Sequence, residues 1–142
     1  MTDNKVYIDQ NGNETVQVSR ADGLGVSEIK KLGIEQIIIS TEKNPVVISR
    51  AIKLDIYCLQ GIDDKKAVLI EYCRKNNINL RHVAYVGNDI NDKGVMEIAG
   101  ITFCPTDAHE SILSISDYTF KTKGGEGVIR ELLDYLNKHK GE

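Results

Sequence analysis

The chain has 142 residues, a formal charge of −3 and an even mixture of 18 basic and 21 acidic side chains. That length suits one compact domain with its own hydrophobic core, and the interspersed charge gives no basic face of the kind that draws nucleic acid. The three cysteines form no Cys-x-x-Cys pair and are expected to be reduced, buried bystanders.

The amino terminus, Met1-Thr2-Asp3-Asn4-Lys5, carries no hydrophobic export segment, and no apolar run approaches the roughly 20 residues needed to cross a bilayer. A cytoplasmic protein with no membrane partner is expected. Lys5 to Val18 reads as a hairpin: Val6 to Ile8 and Thr15 to Val18 supply its sides, and Asn11-Gly12-Asn13 tolerates the positive φ of a tight turn. Asp22 can cap a helix whose apolar residues Val26, Ile29 and Leu32 are three apart, with Gly33 as its stop. Ile37 to Ile39 is a β-branched run suited to a strand covered on both faces.

Asn44-Pro45 predicts the next helix start, with Val47, Ala51 and Leu54 turned inward. Ile56 to Leu59 gives a strand. Either Asp63 or Asp64 can cap a helix carrying Val68, Leu69, Tyr72 and Cys73 on one side. Val83 to Val86 is the next strand, followed by a short helix after Asn91 with Val95, Met96 and Ala99. Ile101 to Cys104 is a strand ended by Pro105, Asp107 to Leu113 a helix, Tyr118 to Phe120 a small strand, and Glu126 to Asn137 the last helix.

Strands of four or five residues alternating with helices describe crossover units, hence an α/β domain with a mostly parallel sheet and helices on both faces. In such sheets ligands bind beyond the carboxyl ends of the strands. Those ends are Ser40-Thr41, Gly61 onward, Gly87 to Asp92 and Pro105 onward.

Gly87-Asn88-Asp89-Ile90-Asn91-Asp92 is the strongest local signal: the glycine permits a tight turn, and the acids beyond it could hold Mg²⁺ or serve only as turn and cap residues. Ser40 and Thr41 could hold a phosphoryl oxygen or be ordinary loop residues. Lys65 and Lys66 could neutralise phosphate or lie on the surface. The glycines of Lys123-Gly124-Gly125-Glu126-Gly127 allow a close backbone approach, and Arg130 could pair with an anion.

In this order the segments Asp22-Gly23-Leu24-Gly25, Ile38 to Pro45, Gly61 to Lys66, Gly87 to Asp92 and Gly124 to Gly127 resemble those of the haloacid dehalogenase-like superfamily. They are similar to 3-deoxy-manno-octulosonate-8-phosphate phosphatases, to relatives acting on nine-carbon sugar-acid phosphates, and to the phosphatase-like domain of some CMP-sialic acid synthetases. The resemblance implies a three-layer Rossmann-like fold spanning 1–142, with the hairpin at about 5–18 and the α/β core at about 22–137.

It further implies phosphate binding by Ser40 and Lys65, Mg²⁺ at Asp89 supported by Asp92, and a pocket shaped by Arg20, Asp22 and Arg130. A sugar-phosphate ligand and a homo-oligomer, with a tetramer favoured, follow from the same resemblance. Thr41 and Glu42 stand where many members have glycine and arginine, and Asn88 replaces the first of a common pair of aspartates.

Family enzymes begin with a strand ending in Asp-x-Asp-Gly, which has no match before Met1. The expectation is therefore an amino-terminally truncated fold without the nucleophile aspartate: an incomplete or noncatalytic phosphatase-like domain with an oligomerisation role. The alternatives are a Mg²⁺-dependent phosphatase of a 3-deoxy-keto-sugar-acid phosphate and an accessory domain in CMP-sialic acid synthesis. A generic nucleotide-binding domain ranks below these, for want of a strand-linked Gly-x-Gly-x-x-Gly or a Walker lysine.

Overall fold

The computed structural model describes residues 2–140. It opens with strands β1 (Tyr7–Ile8) and β2 (Glu14–Thr15), paired antiparallel with Tyr7 opposite Thr15. The hairpin is shorter than its apolar residues suggested because Asp9 organises the turn. Its carboxylate accepts the Asn11 and Asn13 N–H groups and the Asn13 amide, while Gly12 takes φ +80°. Among the described residues these two strands pair only with each other.

Helix α1 (Arg20–Lys31) starts at Ser19, whose Oγ accepts the Ala21 N–H. Asp22, expected to be that cap, sits within the first turn and is fully buried. Strand β3 (Ile37–Ile39) leads through helix α2 (Val46–Leu54) to the parallel strand β4 (Tyr57–Leu59). Asn44 Oδ1 accepts the Val46 N–H at the start of α2, as Asn44-Pro45 predicted. Of the two candidate caps for α3 (Lys65–Lys75), Asp64 is the one that bonds, to Ala67 N.

A 3₁₀ turn at Leu80–His82 leads to β5 (Ala84–Val86), and a second at Ile90–Asp92 leads to the short helix α4 (Lys93–Met96). Strands β6 (Ile101–Cys104) and β7 (Tyr118–Thr119) flank α5 (Glu110–Leu113), which is shorter than expected because His109 caps it. Helix α6 (Val128–Lys138) closes the fold. Strands β5, β6 and β7 run parallel in that order.

Alternation along the strands explains the three layers. Val86, Ile101 and Phe103 face Ile29 of α1 and Val128, Leu132 and Leu133 of α6. Tyr85 and Cys104 face the other way, onto Met96, Ala108 and Ile112. Phe103 stacks on Phe120 and meets Tyr135 edge-on, with ring centroids 5.4 and 5.0 Å apart.

The β3–β4 pair and the β5–β7 set share no backbone ladder. Side chains join them: Ile39 from one set and Val83 and Tyr85 from the other pack on Leu69, Cys73 and Val95. Ile37 to Ile39, Tyr85 and Val86 are half-buried where the two sets face each other. Cys73 and Cys104 are buried, Cys58 is half-buried, and all three are free thiols, as expected. Among the described residues no helix is long and apolar enough to cross a membrane.

Asp22 ties the first and last helices: its Oδ1 accepts the Ile129 N–H at 2.8 Å, one of the unpaired donors of the first turn of α6. Gly25 allows that approach, since a Cβ there would stand 2.7 Å from the Ile129 carbonyl. Burial pushes the Asp22 carboxyl above its ordinary value, against the opposing pull of the Ile129 N–H and Arg50.

The folded state therefore binds that proton more tightly than the unfolded state. This contribution is complete below the unfolded value of about 3.9 and is lost as pH rises through the raised native value. Asp22→Asn keeps an oxygen for Ile129 and removes the charge, so urea unfolding at pH 7 should find the variant equal to wild type or more stable by about 1 kcal/mol. That difference should shrink below about pH 4; a variant clearly weaker at pH 7 and unchanged in acid would refute this role.

Candidate phosphate and metal site

The site forms where the carboxyl ends of β3, β4 and β5 meet. Ser40 follows β3 directly; its N–H donates to the Leu59 carbonyl and its carbonyl accepts the Ile62 N–H, which fixes the backbone beside β4. Its Oγ accepts the Glu42 N–H, leaving the hydroxyl proton to face outward partners. Glu42 turns its carboxylate to the Lys43 and Asn44 N–H groups at the entry to α2.

Lys65 opens α3 and is 9% exposed; its Nζ lies 2.7 Å from Asp92 Oδ1. Asp92, 3% exposed, is saturated with donors. Oδ1 also accepts the Tyr85 hydroxyl at 2.8 Å, and Oδ2 accepts the Asn88 and Asp89 N–H groups at 2.9 and 3.2 Å. Burial works to raise the Asp92 carboxyl, but the Lys65 ammonium and these donors outweigh it and hold the group below the usual carboxylate value. Burial and the Asp92 charge push the Tyr85 phenol well above its usual value, so it remains a donor.

The carboxylate folds back under its own turn, which explains Gly87. A Cβ at that position would stand 2.8 Å from Asp92 Cβ and 2.7 Å from Met96 Sδ. Asp92 is therefore a brace for the turn and for Lys65, and it has no oxygen left for a cation. Lys65 spends one of its three N–H donors on Asp92, and two remain for an anion.

Asp89 is arranged differently. Its Oδ1 accepts the Ile90 N–H, its carboxylate also takes the Asp92 N–H in a capping box, and Oδ2 receives a 3.3 Å bond from the Asn4 amide. That oxygen is the one that can turn to a cation. Among the described residues no group of three or more His, Cys, Asp or Glu side chains converges on a metal position. Such a donor set fits Mg²⁺, which keeps several waters and is commonly held by one or two carboxylates plus phosphate oxygens.

The structure thus brings together Lys65, Asp89 and Asp92, and the Asn91–Thr41 hydrogen bond ties their turn to the loop that begins at Ser40. It does not bring in the remaining expected pocket residues in the same way. Arg20 and Arg130 are exposed on the first turns of α1 and α6, and neither enters this hydrogen-bond network among the described residues. Asp22 faces α6. The glycine-rich approach does exist: Cβ atoms at Gly124 and Gly125 would press within 2.7 Å of Thr2 O and 2.9 Å of Asp3 N.

Tyr85 and Asn4 were given no role in the sequence, and Asn91 was named only as part of the Gly87 to Asp92 turn. Tyr85 read as core because it occupies a strand position, although its place two residues before Gly87 puts its hydroxyl at the turn. Asn4 has φ 63° and reaches Asp89, a role that no pattern near the terminus suggested. Asn91 donates from Nδ2 to Thr41 Oγ1 at 3.2 Å and links the two loops across the site.

Comparison with known proteins gives this arrangement a family. A family model described as haloacid dehalogenase-like hydrolase matches residues 26–132. The 3-deoxy-D-manno-octulosonate 8-phosphate phosphatase of Escherichia coli K12 is 32% identical over 143 aligned positions, covering 100% of this chain and 76% of the relative. N-acylneuraminate cytidylyltransferase A of Danio rerio is 30% identical over 96% of this chain, which spans only 32% of that protein.

Among solved structures, a HAD family hydrolase from Streptomyces avermitilis is 40% identical with a TM-score of 0.92, over 94% of this chain and 77% of its own. The Moraxella catarrhalis octulosonate phosphatase, solved with magnesium, phosphate and a KDO molecule, is 33% identical with a TM-score of 0.92, over 96% and 79%.

These matches correct the expectation of an amino-terminally truncated fold that lacks its nucleophile aspartate and is incomplete or noncatalytic. The alignment to the Escherichia coli phosphatase takes in all of this chain, and the solved structures share its α/β frame over 94–96% of it. The expectation was drawn from where the sequence begins, at Met1, which lies outside the described residues. A starting residue is no measure of activity, whereas similarity along the whole chain to phosphatases favours an enzyme.

Proposed function

We propose, on the premise that this chain belongs to the haloacid dehalogenase-like hydrolase family, that it acts as a Mg²⁺-dependent phosphatase of a 3-deoxy-keto-sugar-acid phosphate. The observation that carries this reading is the Lys65 ammonium, held by Asp92 with two donors to spare, at a turn that the Asn91–Thr41 hydrogen bond ties to the Ser40 loop. A phosphomonoester offers the dianion that such donors suit.

In this reading Lys65 and the Ser40 hydroxyl bind and orient phosphoryl oxygens, and the buried setting of Lys65 strengthens their electrostatic effect. Asp89 would hold Mg²⁺ through Oδ2, releasing the Asn4 amide. When bound, the metal supplies Lewis-acid neutralisation of phosphoryl charge. Asp92 keeps Lys65 aimed and the Gly87 turn closed. The similarity to octulosonate phosphatases supports an eight-carbon sugar acid as substrate, and the similarity to the cytidylyltransferase supports a nine-carbon one.

The apolar hairpin supports a homo-oligomer. Tyr7 is 72% and Ile8 64% exposed, a poor arrangement for a free monomer and a suitable one for burial against another copy. A tetramer remains the favoured form.

Purified full chain with Mg²⁺ should release orthophosphate from octulosonate 8-phosphate or a nonulosonate 9-phosphate, and chelation should stop it. Asp89→Asn and Lys65→Met should each lower kcat by about 100-fold or more. Folded protein that releases no phosphate from either class would end this reading. In solution, light scattering should give a mass above that of one chain, and Tyr7→Ser with Ile8→Ser should lower it; a wild-type monomer at working concentration would rule out the oligomer.

A further inference from the structure

The Asp92 carboxylate has one weakness as a brace. The torsion that turns its two oxygens about the Cβ–Cγ bond is broad and nearly two-fold, so a carboxylate does not hold its own orientation. Two backbone N–H groups restrain Oδ2 from one edge, the second at 3.2 Å, the long end of the hydrogen-bond range. Oδ1, the oxygen that holds Lys65, has among the described residues a single other partner, the Tyr85 hydroxyl. Lys65 itself is a flexible four-carbon stem and cannot define the position of the oxygen that it seeks.

Tyr85 can define it. Its ring sits on β5 with two side-chain torsions and packs against both core clusters on that face, Met96, Cys104 and Ile112 on one side and Leu69, Cys73 and Val95 on the other. The hydroxyl emerges from this fixed ring at 2.8 Å from Oδ1. The competing explanation is an ordinary core aromatic whose polar tip happens to find a partner.

We propose that Tyr85 is a positioning residue for the phosphate site, fixing Asp92 Oδ1 and through it the ammonium of Lys65. The proposal deepens the phosphatase reading, and it rests on that reading only for the anion that Lys65 receives. Tyr85→Phe separates the two explanations, because the ring and its packing stay while the hydroxyl goes.

The test uses the full chain labelled with ¹⁵N-lysine. The Lys65 ammonium signal is assigned by its loss in Lys65→Met, and its proton exchange with water is compared in wild type, Tyr85→Phe and a core control on the opposite sheet face, Phe103→Leu. Orthophosphate binding in Mg²⁺ is measured on the same samples by calorimetry.

Tyr85→Phe should speed ammonium exchange and weaken orthophosphate binding, each by roughly tenfold, as removal of an outer partner of a binding residue commonly does. Phe103→Leu should leave the ammonium unchanged even where it lowers the unfolding midpoint. Unchanged Lys65 exchange in Tyr85→Phe, or equal acceleration in Phe103→Leu, would overturn the proposal. Accelerated exchange in Tyr85→Phe alone, with no orthophosphate bound by either protein, would uphold the positioning role and count against the phosphatase reading instead.

Discussion

The buried ion pair between Lys65 and Asp92 is the contact on which the rest of the site depends. Lys65 begins the helix after β4, and Asp92 ends the turn after β5, so the pair spans two sets of strands that share no backbone hydrogen bonds. A pair this buried must overcome the cost of removing both charges from water, and it does so only when the remaining oxygens are satisfied. Here the satisfaction is complete: a phenol and two backbone N–H groups take up what the ammonium leaves.

That saturation divides the labour between the two acids of the turn. Asp92 is a structural anion whose charge belongs to Lys65, whereas Asp89 is held by N–H groups of its own turn and, at Oδ2, by a long bond from the Asn4 amide. The same division explains why Gly87 precedes them, since any side chain there would lift the carboxylate from its donors. The apolar cluster beneath, with Ile39, Val83 and Tyr85 meeting on α3 and α4, supports the pair from below. Packing and electrostatics therefore join the halves at the same place, and the site lies directly above that junction.

Much of this frame was legible in the residues. The β-branched run at Ile37 to Ile39, the Asn44-Pro45 helix start and the strand Ile101 to Cys104 ended by Pro105 each express a local rule, and each element formed close to its expected bounds. Where a local rule had two solutions the sequence was less informative. Asp22 looked like a cap for its own helix and instead serves α6, because its partner lies 107 residues away. Ser40, Lys65, Asp89 and Asp92 were recognisable from their motifs, yet the saturation of Asp92 depends on Tyr85, whose strand position concealed its polar tip. The noncatalytic reading failed for a different reason: it took the position of the first residue as chemistry.

A double-mutant cycle tests most directly whether the ion pair holds the halves together. Urea unfolding of wild type, Lys65→Met, Asp92→Asn and the double variant measures how far the two changes depend on each other. The account predicts a coupling of about 2 kcal/mol or more, since either single change strands a buried group that the other leaves without a counterpart. Additive changes, agreeing within about 0.5 kcal/mol, would show two independent surface-like charges and contradict it.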